Sequence, residues 1–191
     1  MQDLRKHLIA RRAGLSSSEV DANSRIIAKK IQLLEVFRQA RHVAFYHAME
    51  GEVCLDALWK GAASQGKQCY FPICCKQRMH FVPVTPKTPW SKQSLGFMEP
   101  EVELSLAVPV TDLDVAIFPL VAFDAFGVRV GMGKGYYDRA FACDKKSADK
   151  QPTRIGVAHE FQHQKYLEKQ PWDVLLHATV TEKQVYWTNR F

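Results

Sequence analysis

The sequence predicts an α/β fold with a mainly parallel central sheet flanked by helices. Short apolar, β-branched segments alternate with stretches of helical periodicity along most of the chain, the pattern of parallel strands joined by crossover helices. The most apolar segment, residues 115–123, is nine residues long between Asp114 and Asp124, as expected of a strand buried on both faces. The chain has 191 residues, enough to close one hydrophobic core, and a single domain over 1–191 is expected.

Each element has its own signal. Residues 2–13 set Leu4, Leu8 and Ile9 among basic side chains, a short amphipathic helix. Ser16 to Glu19 offers a capping box, a hydroxyl followed three positions on by a carboxylate. The helix it opens carries Ile27, Ile31 and Leu34 on one face. Residues 42–46 read as a strand. Residues 55–65 read as a helix with Gly66 at its C-terminal cap. Residues 68–71 form a strand that Pro72 should end, and 79–84 another. Five prolines between 83 and 109 mark a long irregular excursion with one edge strand. Strands follow at 114–118 and 153–158, with a helix near 136–143 and a polar loop at 144–153 between them. The tail 173–186 holds one or two short strands.

A hydrophobic fraction of 47% with 24% charged residues excludes disordered and collagen-like chains. No apolar run spans a bilayer, and the charged start of the chain does not read as a signal peptide, so a cytoplasmic protein is expected. Cys54, Cys69, Cys74, Cys75 and Cys143 form no C-x-x-C pair and read as reduced thiols. A net charge of +6 suits an anionic partner. No basic run forms a nucleic-acid arm, which sets a nucleic-acid-binding module well behind an enzyme.

Four of the ten glycines lie between 127 and 135, in Gly127-Val128-Arg129-Val130-Gly131-Met132-Gly133-Lys134-Gly135-Tyr136-Tyr137-Asp138. The segment follows the apolar strand and precedes a helix, where open α/β sheets bind ligands. Glycines let backbone N–H groups converge on phosphate oxygens, and the next helix would add its positive N-terminus. Arg129 and Lys134 supply charge against a polyphosphate, and Asp138 is a candidate ligand for Mg²⁺ held with phosphate oxygens. It is not a Walker A loop, because Gly135 stands where Ser or Thr must follow the lysine. Nor is it the dinucleotide fingerprint, since its third glycine comes one residue early.

The G-x-G-K-G-Y-Y-D stretch, preceded by an apolar strand and the Phe123-Asp124 pair, resembles the 5-formyltetrahydrofolate cyclo-ligase family. The resemblance extends through Leu4-Arg5, Leu15-Ser16, Glu52-Val53, Gly66-Lys67, Glu99-Pro100, Ile155 to Ala158, Gln162, Pro171, Asp173 and Thr181-Glu182. It implies a fold related to the sugar-phosphate isomerase and CoA-transferase superfamily. It implies ATP- and Mg²⁺-dependent closure of 5-formyltetrahydrofolate, in free or polyglutamylated form, to 5,10-methenyltetrahydrofolate, by a monomer, with ADP and phosphate released. The implied path phosphorylates the formyl oxygen, giving an iminium phosphate that N10 attacks.

By the same resemblance, Arg5 and residues Arg129, Val130, Gly131, Met132, Gly133, Lys134, Gly135, Tyr136 and Tyr137 bind ATP. Glu52 binds the folate, joined by Met132, Gly133, Lys134, Gly135 and Tyr136. Arg129, Lys134 and Tyr136 are the expected catalytic residues, and Asp138 and Asp173 the Mg²⁺ ligands. The folate cleft is expected to be walled partly by the 83–109 excursion. The chain departs from the family pattern at Met1, where many members have lysine, and at Met132, Trp172 and His177.

One motif competes. His159-Glu160-Phe161-Gln162-His163 is a literal H-E-x-x-H, the zinc-hydrolase pattern when it lies on a helix, with Glu182 as a third ligand. The β-branched residues before it make His159 a strand end, and Tyr166 and Lys169 stand where the longer form needs Gly and His. In the cyclo-ligase reading the same stretch begins a surface helix.

Overall fold

The computed structural model describes residues 1–93, 97–142 and 151–188. The expected polar loop at 144–153 and Cys143 lie almost wholly outside the described residues. Helices α1 (Gln2–Ala13), α2 (Ser17–Leu33) and α3 (Glu35–Gln39) lead into strand β1 (His42–Ala44). Helix α4 (Asp56–Ser64) then crosses to β2 (Gln68–Cys75), which turns back as β3 (Arg78–Val84). The hairpin β4 (Trp90–Lys92) and β5 (Met98–Pro100) precedes β6 (Val115–Pro119) and a second hairpin, β7 (Ala122–Phe123) and β8 (Arg129–Val130). Helix α5 (Tyr136–Phe141), β9 (Thr153–Val157), β10 (Ala178–Val180) and β11 (Val185–Trp187) complete the chain.

Seven strands form the central sheet in the order β11-β10-β9-β6-β1-β2-β3, parallel except for its two edges. This is the predicted mainly parallel α/β sheet. Side-chain alternation divides its two faces. Val43, Val115, Ile117, Ile155 and Val157 join Ile27, Ile31, Phe37, Leu58 and Trp59 from α2, α3 and α4 in one core. Ala44, Tyr70, Ala116, Phe118 and Phe141 of α5 form the core on the other face. A third cluster seats Leu8 of α1 on Val121, Ala122, Val128 and Val130 of the β7–β8 hairpin.

The capping box is present: Ser16 Oγ accepts from the Glu19 N–H at 3.3 Å, and the Ser16 N–H donates to Glu19 Oε2 at 2.9 Å. Gly66 follows α4 at φ +85°, the left-handed conformation expected there. Pro72 does not end β2, which continues to Cys75. The Phe45 N–H donates to Tyr70 O, so Tyr70 and the residues two and four further on turn their polar groups toward β1. β1 has ended by then, and Pro72 loses no ladder bond. The Cys74 N–H on that same side donates instead to the Glu99 carboxylate of β5 at 2.7 Å. The 83–109 excursion holds a two-stranded hairpin rather than one edge strand, anchored by Trp90 edge-on to Phe71 at 4.9 Å.

Candidate active site

In the strand order the chain moves from β1 outward to β2, then returns to the other side of β1 with β6 and continues to β9 and β10. The loops leaving β1 and β6 therefore diverge, opening a crevice at the C-terminal ends of these strands. The crevice is lined by Tyr46, Glu52 and Val53 after β1, by Pro119 and Leu120 at the end of β6, by Val157 and Gln162 at the end of β9, and by Arg12 of α1. Glu99, at the C-terminal end of β2, brings part of the 83–109 excursion to this same end of the sheet.

The glycine segment does not leave β6 directly. The β7–β8 hairpin intervenes and carries it outward. Asp124 closes that hairpin. It is buried, and its Oδ1 accepts the N–H groups of Phe126 and Val128, both at 3.0 Å, while Oδ2 accepts the Leu167 N–H at 3.0 Å. Gly127 at φ +84° is required at the turn, because a Cβ there would stand 2.5 Å from the Leu176 carbonyl oxygen. Residues 131–134 are exposed, and Gly133 and Gly135 lie at positive φ. The helix that follows has only six residues, so it adds less dipole than the sequence suggests.

Arg5 reaches this loop from α1, its Nε donating to Gly131 O at 2.9 Å, with its guanidinium beneath Gly133. Lys134 stands exposed at the loop and makes no hydrogen bond or ion pair among the described residues. Arg129 is drawn inward. Its Nη2 lies 2.7 Å from Asp138 Oδ1, its Nη1 donates to Val174 O, and its guanidinium lies 4.8 Å over the Phe118 ring. Burial lowers the Arg129 pKa, opposed by Asp138 and Asp173. Tyr136 lies under the guanidinium of Arg139 at 5.2 Å. Tyr137 packs on Phe118 at 4.7 Å, and burial raises its hydroxyl pKa, with Glu52 and Cys74 adding and Arg129 opposing.

Glu52 is buried against Arg12 at 3.0 Å, and its other oxygen accepts the Met49 N–H at 3.0 Å. Asp138 Oδ1 also accepts the Val174 N–H at 3.2 Å, which brings the neighbouring Asp173 beside it. Asp173 Oδ2 accepts the Gln170 N–H at 2.8 Å. Each aspartate keeps one oxygen outside these bonds, and two carboxylates with phosphate oxygens form a donor set that suits Mg²⁺.

The H-E-x-x-H stretch forms no α-helix and is buried or half-buried throughout. It is a 3-10 turn, Glu160–Gln162, after β9, with His159 and Gln162 buried. His159 faces Gly51 O through Nε2 at 3.0 Å and Asn23 through Nδ1 at 3.1 Å. Glu160 accepts from Thr181 Oγ1 at 2.6 Å and from the Tyr186 hydroxyl, and His163 lies between Phe123 and Tyr186. Gln162 donates to Leu120 O and Val121 O at 2.8 and 3.0 Å, tying this turn to the end of β6. These side chains brace the crevice, and the zinc reading is not favoured. Arg12 and Arg139 join the site with no signal in the sequence, and Asp124, part of the Phe123-Asp124 pair, proves to close the hairpin that carries the loop. Each arginine looks like an ordinary charged residue until the fold supplies its partner.

The fold is that of an open, mainly parallel α/β protein whose switch point lies between β1 and β6, the place where such sheets take ligands. The chain belongs to the 5-formyltetrahydrofolate cyclo-ligase family, whose sequence profile matches residues 1–182. It is 31% identical to the 5-formyltetrahydrofolate cyclo-ligase of Haemophilus influenzae, over 92% of this chain and 94% of that protein. It is 30% identical to the Escherichia coli K12 enzyme of the same name, over 92% and 97%. The NMR structure of Aquifex aeolicus 5,10-methenyltetrahydrofolate synthetase superposes with a TM-score of 0.84 at 30% identity, covering 100% of this chain and 93% of that one.

Proposed function

We propose that this chain closes 5-formyltetrahydrofolate to 5,10-methenyltetrahydrofolate with ATP and Mg²⁺, releasing ADP and phosphate. The observation that carries the reading is a convergence at one switch point. The Arg5-braced glycine loop and the Glu52 crevice share one end of the sheet, and α1 touches both.

The nucleotide phosphates lie on the amides of 131–135, with Arg5 and Lys134 as their cations. Lys134 is free to follow the γ-phosphoryl group as it transfers to the formyl oxygen. Phosphorylation turns a poor leaving group into a good one. N10 then attacks the formyl carbon, C–O cleavage expels phosphate, and N10 gives up its proton. In-line transfer of this kind needs position and charge more than a protein nucleophile. Tyr136 flanks the reacting groups, Arg129 orders Asp138, and Tyr137 lines the wall between the two substrates. Glu52 accepts hydrogen bonds from the pterin ring, and Met132 at the loop tip contacts the folate. Asp138 and Asp173 would hold Mg²⁺, which neutralises charge on the phosphates. The reading takes the enzyme as a cytoplasmic monomer that also accepts polyglutamylated folate; the free thiols of Cys54, Cys69, Cys74 and Cys75 suit a reducing compartment.

Purified protein with 5-formyltetrahydrofolate, ATP and Mg²⁺ should produce the near-ultraviolet band of the methenyl product, and none without ATP. A folded protein that gives no band with all three present overturns the substrate assignment.

A further inference from the structure

We propose that Arg12 is a positioning residue for the folate, setting the carboxylate of Glu52 from the last turn of α1. The proposal rests on the reading that Glu52 binds the pterin ring. Most of α1 is exposed, and only Leu8 and Arg12 are buried on it. Leu8 has an apolar cluster to fill. Arg12 instead buries a guanidinium at 4% exposure, against a carboxylate at 8%. Buried ion pairs contribute little net stability compared with apolar residues of similar size, so the pair is better explained by what it holds in place.

What it holds is one turn. Arg12 Nη1 donates to Glu52 Oε1 at 3.0 Å, while Oε2 accepts the Met49 N–H at 3.0 Å. Both oxygens are thereby oriented, and each retains a lone pair at a side chain that lines the crevice. The backbone is held as closely. Gly51 lies at φ +71°, and a Cβ on it would stand 2.5 Å from the Arg12 carbonyl oxygen. His159 holds Gly51 O from the opposite side, and the Tyr46 hydroxyl donates to Val53 O at 2.6 Å. A carboxylate fixed in this way presents two coplanar acceptors, which match the amino and ring N–H donors along the guanidine-like edge of a pterin. Among the described residues Arg12 makes no hydrogen bond or ion pair with the glycine loop; Arg5, seven residues earlier on the same helix, does.

The test is steady-state kinetics on the full chain, with folate and ATP titrated separately, for wild type, Arg12→Gln, Arg12→Lys and Glu52→Gln. Arg12→Gln should raise the KM for 5-formyltetrahydrofolate by about tenfold or more, the loss of one well-placed polar contact, with the KM for ATP changed by less than about twofold. Arg12→Lys, which keeps the charge but not the fork, should fall between wild type and Arg12→Gln. If Glu52→Gln leaves the folate KM unchanged, the reading of Glu52 fails and the proposal goes with it. If Glu52→Gln raises it while Arg12→Gln does not, or moves both KM values together, Arg12 is only structural and the proposal alone is overturned. Should Arg12→Gln fail to fold, Arg12→Lys decides: a folate-selective rise supports the proposal, and wild-type values overturn it.

Discussion

Replacing Asp124 by asparagine should destabilise the protein far more than its conservative chemistry suggests. The buried carboxylate accepts three backbone N–H groups, at 3.0 Å each, and no cation pairs with it among the described residues. Asparagine could keep its oxygen on Phe126 and Val128, but its amide would then face the Leu167 N–H, donor against donor. One charge-assisted bond is lost outright, at about 1.5–3 kcal/mol, and the two retained bonds weaken to neutral strength. Relief of the buried charge offsets part of this, leaving a net loss of about 2–4 kcal/mol. In a protein of this size that is a fall in Tm of roughly 5–15 °C. Guanidinium denaturation should show a lower midpoint with an unchanged slope. A variant within about 0.5 kcal/mol of wild type would refute the claim that this carboxylate closes the hairpin on which the glycine loop is mounted.

Other expectations follow from the same structure. Lys134→Ala should lower kcat/KM by about 10²–10³-fold, the scale of losing one charge from a phosphoryl-transfer site, with Tm little changed because Lys134 is exposed; near-normal kcat/KM would remove Lys134 from the mechanism. Asp138→Asn should weaken the dependence of turnover on Mg²⁺, and an unchanged Mg²⁺ titration would place the metal elsewhere. His177 is held near pKa 4, below its ordinary 6.5, by burial and by Arg154. The unfolded chain therefore binds the proton more readily, so this contribution to stability is intact above about pH 6.5 and lost as pH falls toward 4. Because the ring is partly exposed, the loss should be only about 1–2 kcal/mol, and His177→Asn should flatten that part of the profile. Denaturation midpoints of the pair at pH 7.5 and 4.5 measure it, and parallel profiles would contradict the assignment.

The strands and helices were legible where local chemistry decides them. The Ser16–Glu19 box and Gly66 behind α4 formed as the sequence predicts because each depends on near neighbours, and β6 because its unbroken apolar run suits only a strand buried on both faces. Pro72 misled because a proline's cost depends on which neighbour is present on its N–H side, and β1 stops short of it. At the H-E-x-x-H stretch the β-branched run correctly makes His159 follow a strand, but the surface helix expected there is a single 3-10 turn. Five residues give the ligand spacing of a helix, whereas Gly51, Asn23, Thr181 and Tyr186, all distant in sequence, decide where the side chains turn. The glycine loop announced itself by composition. Its supports, Asp124 and Arg5, act through contacts that no local pattern encodes, and both are legible only through the resemblance.

The placement of α1 bears on the order in which the molecule assembles. Its twelve residues are synthesised well before their anchors, Glu52 and Gly131, which come 40 and 126 residues after Arg12 and Arg5. Few of its own side chains are buried, so the helix has little reason to settle before those anchors exist. Contacts this distant in sequence are slow to close. A helix made before its anchors is therefore among the last to dock, and both halves of the cleft stay unfinished until it does.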